Sequence, residues 1–194
     1  MDPVSRTECA SPLVVGRHAR EFLSALPEAP TKEVLSALSR DPKLISLLGR
    51  RPLGRLELSG RLPKADWNGS YQPASGNLTV NAFRGPATYG KGFHPEDLNS
   101  VSESGRTLVE AMQRSLYHEL GHHVLEVSGP GTRAQVTRLL RSGRAFPVSE
   151  LAKERAVEYF SESFAAYRFE DSFADKDPEG YHMIEAILRL AGKK

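Results

Sequence analysis

His118-Glu119-Leu120-Gly121-His122 restricts the folds open to this chain more than any other segment, because its chemistry works only on a helix. Residues i and i+4 of an α-helix project from one face about a turn apart, so both imidazoles can reach a single zinc ion at about 2.0 to 2.1 Å. Glu119, beside the first ligand, is badly aimed for the same metal but can reach a water in an open coordination position, which suits a general base. By chance the pattern arises in roughly one or two sequences per hundred of this composition, so its surroundings must decide. They predict a helix of about six turns, capped by Ser104, running to Val127 and stopped by Ser128-Gly129-Pro130-Gly131. Leu108, Val109, Met112, Leu116, Leu120 and Val124 form its apolar arc, and His118 and His122 lie opposite, with the small Ala111 and Ser115 leaving room for another element. A glycine inside a helix costs about 1 kcal/mol relative to alanine. A solvated pair of surface histidines has no need of Gly121.

A catalytic zinc site needs a third protein ligand and one open position. Ser128 stands six residues past His122, which excludes the three-histidine variant HExxHxxGxxH. Cys9 is the only cysteine, so neither an internal disulfide nor a CxxC site can form. A carboxylate on a later helix remains. Glu158 and Glu162, within Glu158-Tyr159-Phe160-Ser161-Glu162-Ser163-Phe164-Ala165, are again i and i+4, with Glu154 a turn earlier. The helix expected here runs from about Ser149 to Glu170, with Val157, Phe160, Phe164 and Tyr167 on the other face. Glutamates at this spacing repel by a few tenths of a kcal/mol per pair on a solvated helix, a penalty that a dication and its imidazoles would reverse. The plainer alternative is an acidic surface stripe balanced by Lys153 and Arg155. As a site, Glu158 reads as the third ligand and Glu162 as the acceptor of a hydrogen bond from a zinc-bound imidazole; the reverse assignment stays open.

The rest of the chain reads as α+β. With 194 residues and 39% apolar content it can bury one sizeable core. Short helices are expected over residues 17 to 50, including one opened by Asp41-Pro42. Alternation around Leu56, Leu58 and Leu62, turn residues at Asp66-Trp67-Asn68-Gly69-Ser70, and a second alternating run over Asn77 to Asn81 predict a small antiparallel sheet between residues 53 and 83. Residues 84 to 103 read as a long loop. Beyond the HExxH helix, further helices are expected over Thr132 to Ser142 and, capped by Asp177-Pro178, to the end of the chain. Two parts follow: a helical segment over residues 1 to 50, and a domain over 51 to 194.

The pairing of His118-Glu119-Leu120-Gly121-His122 with Glu158-Tyr159-Phe160-Ser161-Glu162-Ser163-Phe164 resembles the gluzincins, and within them the anthrax lethal factor-like and Pro-Pro endopeptidase group. The second stretch is similar to that group's E-[FY]-F-A-E-x-F, and the likeness covers about residues 70 to 190. It implies a zincin-like fold for residues 51 to 194: a small antiparallel sheet packed on the HExxH helix, followed by a C-terminal helical part. It also implies zinc ligation by Glu158 and a supporting role for Glu162. Relatives place a tyrosine seven residues before the liganding glutamate to stabilise the oxyanion; Leu151 stands there in this chain. Loss of one such donor costs about 10²- to 10³-fold in rate. Tyr181, His182, His94 and Arg155 are the candidates to replace it. Zincins bind substrate on an edge strand above the motif helix, for which Asn77 to Asn81 is the candidate.

The expected activity is zinc-dependent hydrolysis of peptide bonds in a protein or peptide substrate, with Glu119 activating the attacking water. The alternative is a zinc-binding domain without turnover that serves as an interaction module, as in a phage or toxin and effector system. With 26% charged residues of both signs and a net charge of +2, composition gives no electrostatic case for nucleic acid or a membrane surface. The first residues, MDPVSRTECA, lead into no signal-like apolar run. The expected location is the cytoplasm, or outside it by a route without a classical signal. Neither oligomeric state nor cleavage preference is legible.

Overall fold

Three short strands and a set of helices are arranged around one long central helix in a computed structural model that describes Leu38 and residues 41–59, 69–81 and 108–191. The expected helices before Leu38, the loop over 84 to 103, the Ser104 cap and His94 lie outside the described residues. In chain order the elements are α1 (Pro42–Arg50), β1 (Arg55–Ser59), β2 (Gly69–Gln72), β3 (Asn77–Asn81), α2 (Leu108–Val127), α3 (Pro130–Arg141), α4 (Glu150–Glu154), α5 (Ala156–Phe169), α6 (Phe173–Lys176) and α7 (Pro178–Ala191). The fold is mixed α and β and mostly helical. No helix among the described residues is long and apolar enough to cross a membrane.

The helix boundaries follow local capping chemistry. Asp41 accepts from the Leu44 N–H at 3.0 Å, Ser149 from Ala152 at 3.1 Å and Asp177 from Gly180 at 3.0 Å, so α1, α4 and α7 each begin on a side-chain cap. Pro42, Pro130 and Pro178 open their helices, where a missing N–H is harmless. Between α2 and α3, Gly129 takes φ 88°, the left-handed turn that a helix stop requires.

The sheet differs from the one expected. Its order is β1-β3-β2, with β2 and β3 antiparallel and β1 parallel to β3. β2 and β3 are joined by a tight turn at residues 73–76. Gly69 and Ser70, expected in a turn, belong to β2. Leu56, Leu78 and Val80 are fully buried on one face and share a cluster with Leu116, Tyr117, Leu120 and Val124 of α2. Leu38, Leu44, Leu47 and Leu48 join that same cluster, and Lys43 of α1 pairs with Glu185 of α7 at 2.8 Å.

The single helix expected over 149 to 170 is two. Arg155 is extended, at φ −146° and ψ 147°, and its carbonyl accepts the Tyr159 N–H at 2.9 Å, so it ends α4 and opens α5. The break resets the helical phase. Glu154 is left exposed on α4, out of line with Glu158 and Glu162.

α2 packs against the sheet on one side and α5 on the other, and the second contact is unusually close. A Cβ added to Gly121 would lie 2.7 Å from Ser161 Cα and 3.2 Å from Phe164 Cβ, nearer than side-chain carbons approach. The neighbour is backbone and cannot swing away. Gly121→Ala should therefore lower the melting temperature of the metal-free protein. Overpacking costs about 1–3 kcal/mol, at the upper end against backbone, and exceeds the roughly 1 kcal/mol gained in helix propensity. A thermal melt that stays level or rises would show slack at this crossing.

Candidate metal centre

α2 and α5 bring three donor atoms together at that crossing. His118 Nε2 and His122 Nε2 are 3.2 Å apart, and each faces Glu158 Oε2, at 3.4 and 3.5 Å respectively. A tetrahedral zinc with bonds of about 2.0 to 2.1 Å has ligand–ligand edges of roughly 3.3 to 3.4 Å, so the triangle matches one face of such a tetrahedron. His118, His122 and Glu158 form the metal-competent group among the described residues. Two imidazoles and a carboxylate are the donor types that zinc accepts, and they leave a fourth position for water or substrate.

Each ligand has its own support. His118 Nδ1 lies 2.7 Å from Glu162 Oε1, a close ion pair approached obliquely to the ring N–H. This leaves Nε2 to face the metal position. Glu158 divides its oxygens: Oε2 faces the imidazoles, and Oε1 accepts from Arg155 Nη2 at 2.8 Å. The helix break at Arg155 makes this pair, since it puts Glu158 in the first turn of α5 with Arg155 just before it. His122 stands beside Tyr71 of β2, the two rings nearly parallel at 4° with centroids 6.4 Å apart.

Tyr71 is in turn fixed by His123. The Arg51 carbonyl, 2.8 Å from His123 Nε2, can only accept, so that nitrogen carries the proton and Nδ1 accepts from the Tyr71 hydroxyl at 3.1 Å. Burial holds the His123 pKa below its ordinary value, which keeps the ring neutral in this role.

Charge in the centre is sorted by environment. Hydrogen bonds from His118 and then His122 hold the Glu158 carboxyl well below the usual carboxylate range. At Glu162, burial works upward, but the contacts with His118 and the nearby Arg114 outweigh it and the pKa falls. Glu119 goes the other way. It is 6% exposed, and burial pushes its pKa up to about 7, with His118 opposing and the Glu158 and Glu162 charges reinforcing. A carboxylate poised near neutrality is suited to taking up and releasing a proton. Burial alone would lower His118, but Glu158 and Glu162 reverse that and raise it to about 9.

Of the other residues predicted from sequence, Tyr181 and His182 are not brought to this centre. The Tyr181 ring packs against Tyr167 and Phe173, and lines a cleft of about 330 Å³ with Asp41, Pro42, Lys43 and Arg168. His182 is exposed beside it. Leu151, where the group that the sequence resembles carries a tyrosine, is 41% exposed on α4. Tyr71, His123 and Gly69 were missed as parts of the site; a histidine directly after the second ligand was the available signal for His123, and no spacing marks the other two. No protein-family model matches this chain, and no curated protein matches it either.

Two outcomes follow from the pairing of His118. It must lose its proton to take a metal, so affinity for zinc should rise by up to tenfold per pH unit from about pH 6 to about pH 9, as read by competition with a chromophoric chelator. Replacing the carboxylate that orients it, Glu162→Gln, should weaken zinc binding about 10- to 100-fold in the same titration with the melting profile little changed.

Proposed function

We propose that this chain is a zinc-dependent metallopeptidase of the gluzincin type, with a zincin-like arrangement over residues 51 to 194. The observation that carries the reading is the triangle of 3.2, 3.4 and 3.5 Å formed by His118, His122 and Glu158, with the buried carboxylate of Glu119 beside it. Three donors at tetrahedral spacing explain why two glutamates and two histidines share a half-buried region.

Bound zinc supplies a Lewis acid for the scissile carbonyl and makes water a stronger acid. The chain's own residues supply the rest. Glu119 takes a proton from the attacking water as the new C–O bond forms, then delivers it to the amine nitrogen as the C–N bond breaks. Glu162 holds the His118 ring in orientation, and Arg155 keeps Oε1 of Glu158 away from the metal position. No covalent bond between substrate and protein is required.

The substrate strand is reassigned. Asn77 to Asn81 is β3, which is paired on both sides and has no free edge to offer. β2 is the edge strand nearest the centre, and among the described residues it is paired only with β3. An extended peptide would add along β2, by main-chain hydrogen bonds of the kind that a free edge provides.

A second reading, a zinc-binding module without turnover, is favoured by Leu151. Its side chain has no hydroxyl and is turned partly to solvent, so the expected oxyanion donor is absent at that position. Cleavage of a peptide library by zinc-loaded protein separates the two readings. Glu119→Gln should reduce turnover by about 10²- to 10⁴-fold while zinc content stays near one equivalent per chain. Cleavage by both proteins, or by neither, would sink the peptidase reading; zinc retained without cleavage by either is the result expected of the module.

A further inference from the structure

We propose that Gly69 is the positioning residue for Glu119: the missing side chain on β2 leaves the space in which the Glu119 carboxylate rests. A Cβ built on Gly69 would lie 2.6 Å from both Cγ and Oε1 of Glu119 and 2.9 Å from Cδ. Real Cβ atoms do not come so near, so any residue other than glycine must displace that side chain. The inference rests on reading Glu119 as the base, and it adds a residue that neither ligates metal nor takes up a proton.

The glycine is not explained by backbone conformation. Among the described residues, positive φ at glycine is confined to Gly76, Gly129 and Gly143, so an alanine could adopt the backbone of Gly69 without strain. Nor is it explained by strand stability, since glycine weakens a strand interior and leaves a gap in side-chain packing. What remains is the close approach of strand to side chain. The ladder pins this approach, with Gly69 opposite Val80 and Tyr71 opposite Leu78, and Val80 and Leu78 are both fully buried. Residues two apart on a strand share a face, so Gly69 and Tyr71 both look onto α2. One meets the base; the other meets His122 and bonds His123.

The contacted atoms are the far end of a flexible side chain, so the fold can absorb an alanine by turning Glu119 aside. The three atoms nearest to the new Cβ all belong to Glu119. Gly69→Ala should therefore separate catalysis from metal binding: zinc affinity within about twofold of the parent, a melting temperature no lower, and turnover reduced on the order of 10- to 100-fold. The loss should vanish in the Glu119→Gln background, where the base is already gone. A merely structural role would give the same proportional loss in both backgrounds.

The test is made on the full chain loaded with zinc, combining crystal structures of parent and Gly69→Ala with this double-mutant comparison. A carboxylate turned away from its parent position, with the three ligands unmoved, supports the inference. An unmoved carboxylate, or undiminished turnover, overturns it. Should Gly69→Ala fail to fold, the pair Gly69→Ala with Glu119→Ala decides, because removing the obstructing side chain must restore folding if the clash is the cause. Should the parent cleave nothing, the peptidase reading fails, and the position of the carboxylate in the two crystals still decides this inference.

Discussion

Everything at this centre depends on how closely α2 and α5 approach at Gly121 and Ser161. One helix carries both imidazoles and Glu119, the other both supporting carboxylates, so the separation of their axes decides whether Nε2, Nε2 and Oε2 fall within one coordination shell. A methyl group on Gly121 would enter the Ser161 backbone, and a spacing set by larger side chains would leave the glutamate beyond reach of a shared ion. Ser161 is wholly buried with its hydroxyl unpaired among the described residues, an arrangement that costs about 1–3 kcal/mol. Next to the crossing, the stacked rings of Tyr117 and Phe164, 5.9 Å apart, and of Phe160 and Phe164, 6.0 Å apart, fill the interface with rigid volume.

Close approach creates an electrostatic problem that the same residues solve. Glu119, Glu158 and Glu162 crowd a poorly hydrated region, where burial first and mutual repulsion second push at least one towards protonation. The imidazoles decide which. Glu158 and Glu162 contact His118 directly and stay ionised; Glu119, adjacent in sequence but pointing at β2, makes no such contact and rises to about 7. Three carboxylates from two helices thus hold different protonation behaviour by placement alone. A bound dication would lower all three and would lower Glu119 from a higher starting point. Arg155 and Arg114 stand at the outer side of this cluster, and they neutralise it without occupying the metal position.

The sequence made the helices and the ligand group legible because both obey short-range rules. Asp41-Pro42, Asp177-Pro178 and Ser128-Gly129-Pro130 are local capping and stop signals, and i, i+4 spacing projects side chains onto one face whatever the tertiary context. His118, His122 and Glu158 could therefore be grouped before any coordinates. The failures share a different character. Arg155 ends a helix although no Pro or Gly marks it, and its extended backbone places its side chain against Glu158 in the first turn of α5. The parallel pairing of β1 with β3 depends on a chain reversal that no residue in either strand encodes. Gly69 looked like a turn residue because glycine is usually read through its φ; here it serves through its volume, a property visible only once Glu119 is placed against it. Tyr71 and His123 act through each other, 52 positions apart, and through the Arg51 carbonyl, 72 positions from His123.

The mixed sheet gives the site its asymmetry. Since β3 lies between its neighbours, β2 has, among the described residues, one paired side and one face pressed on α2. That face is fully used: Gly69 against the base, Tyr71 against the second ligand and its neighbour. The edge is a separate resource, made of main-chain N–H and C=O groups that point in the plane of the sheet. A strand can thus hold the catalytic helix through its side-chain face while its edge accepts an extended chain, with no residue serving both tasks. This separation constrains where a missing oxyanion donor can come from. Tyr71 has its hydroxyl committed to His123 and Leu151 has none, so on the peptidase reading the donors left among the described residues are Arg155 at the mouth of α5 and main-chain N–H groups, beside the metal itself. On the peptidase reading proposed above, such a centre would rely on electrostatics from a bound ion more than on a dedicated phenol, and turnover should be correspondingly more sensitive to which metal is bound.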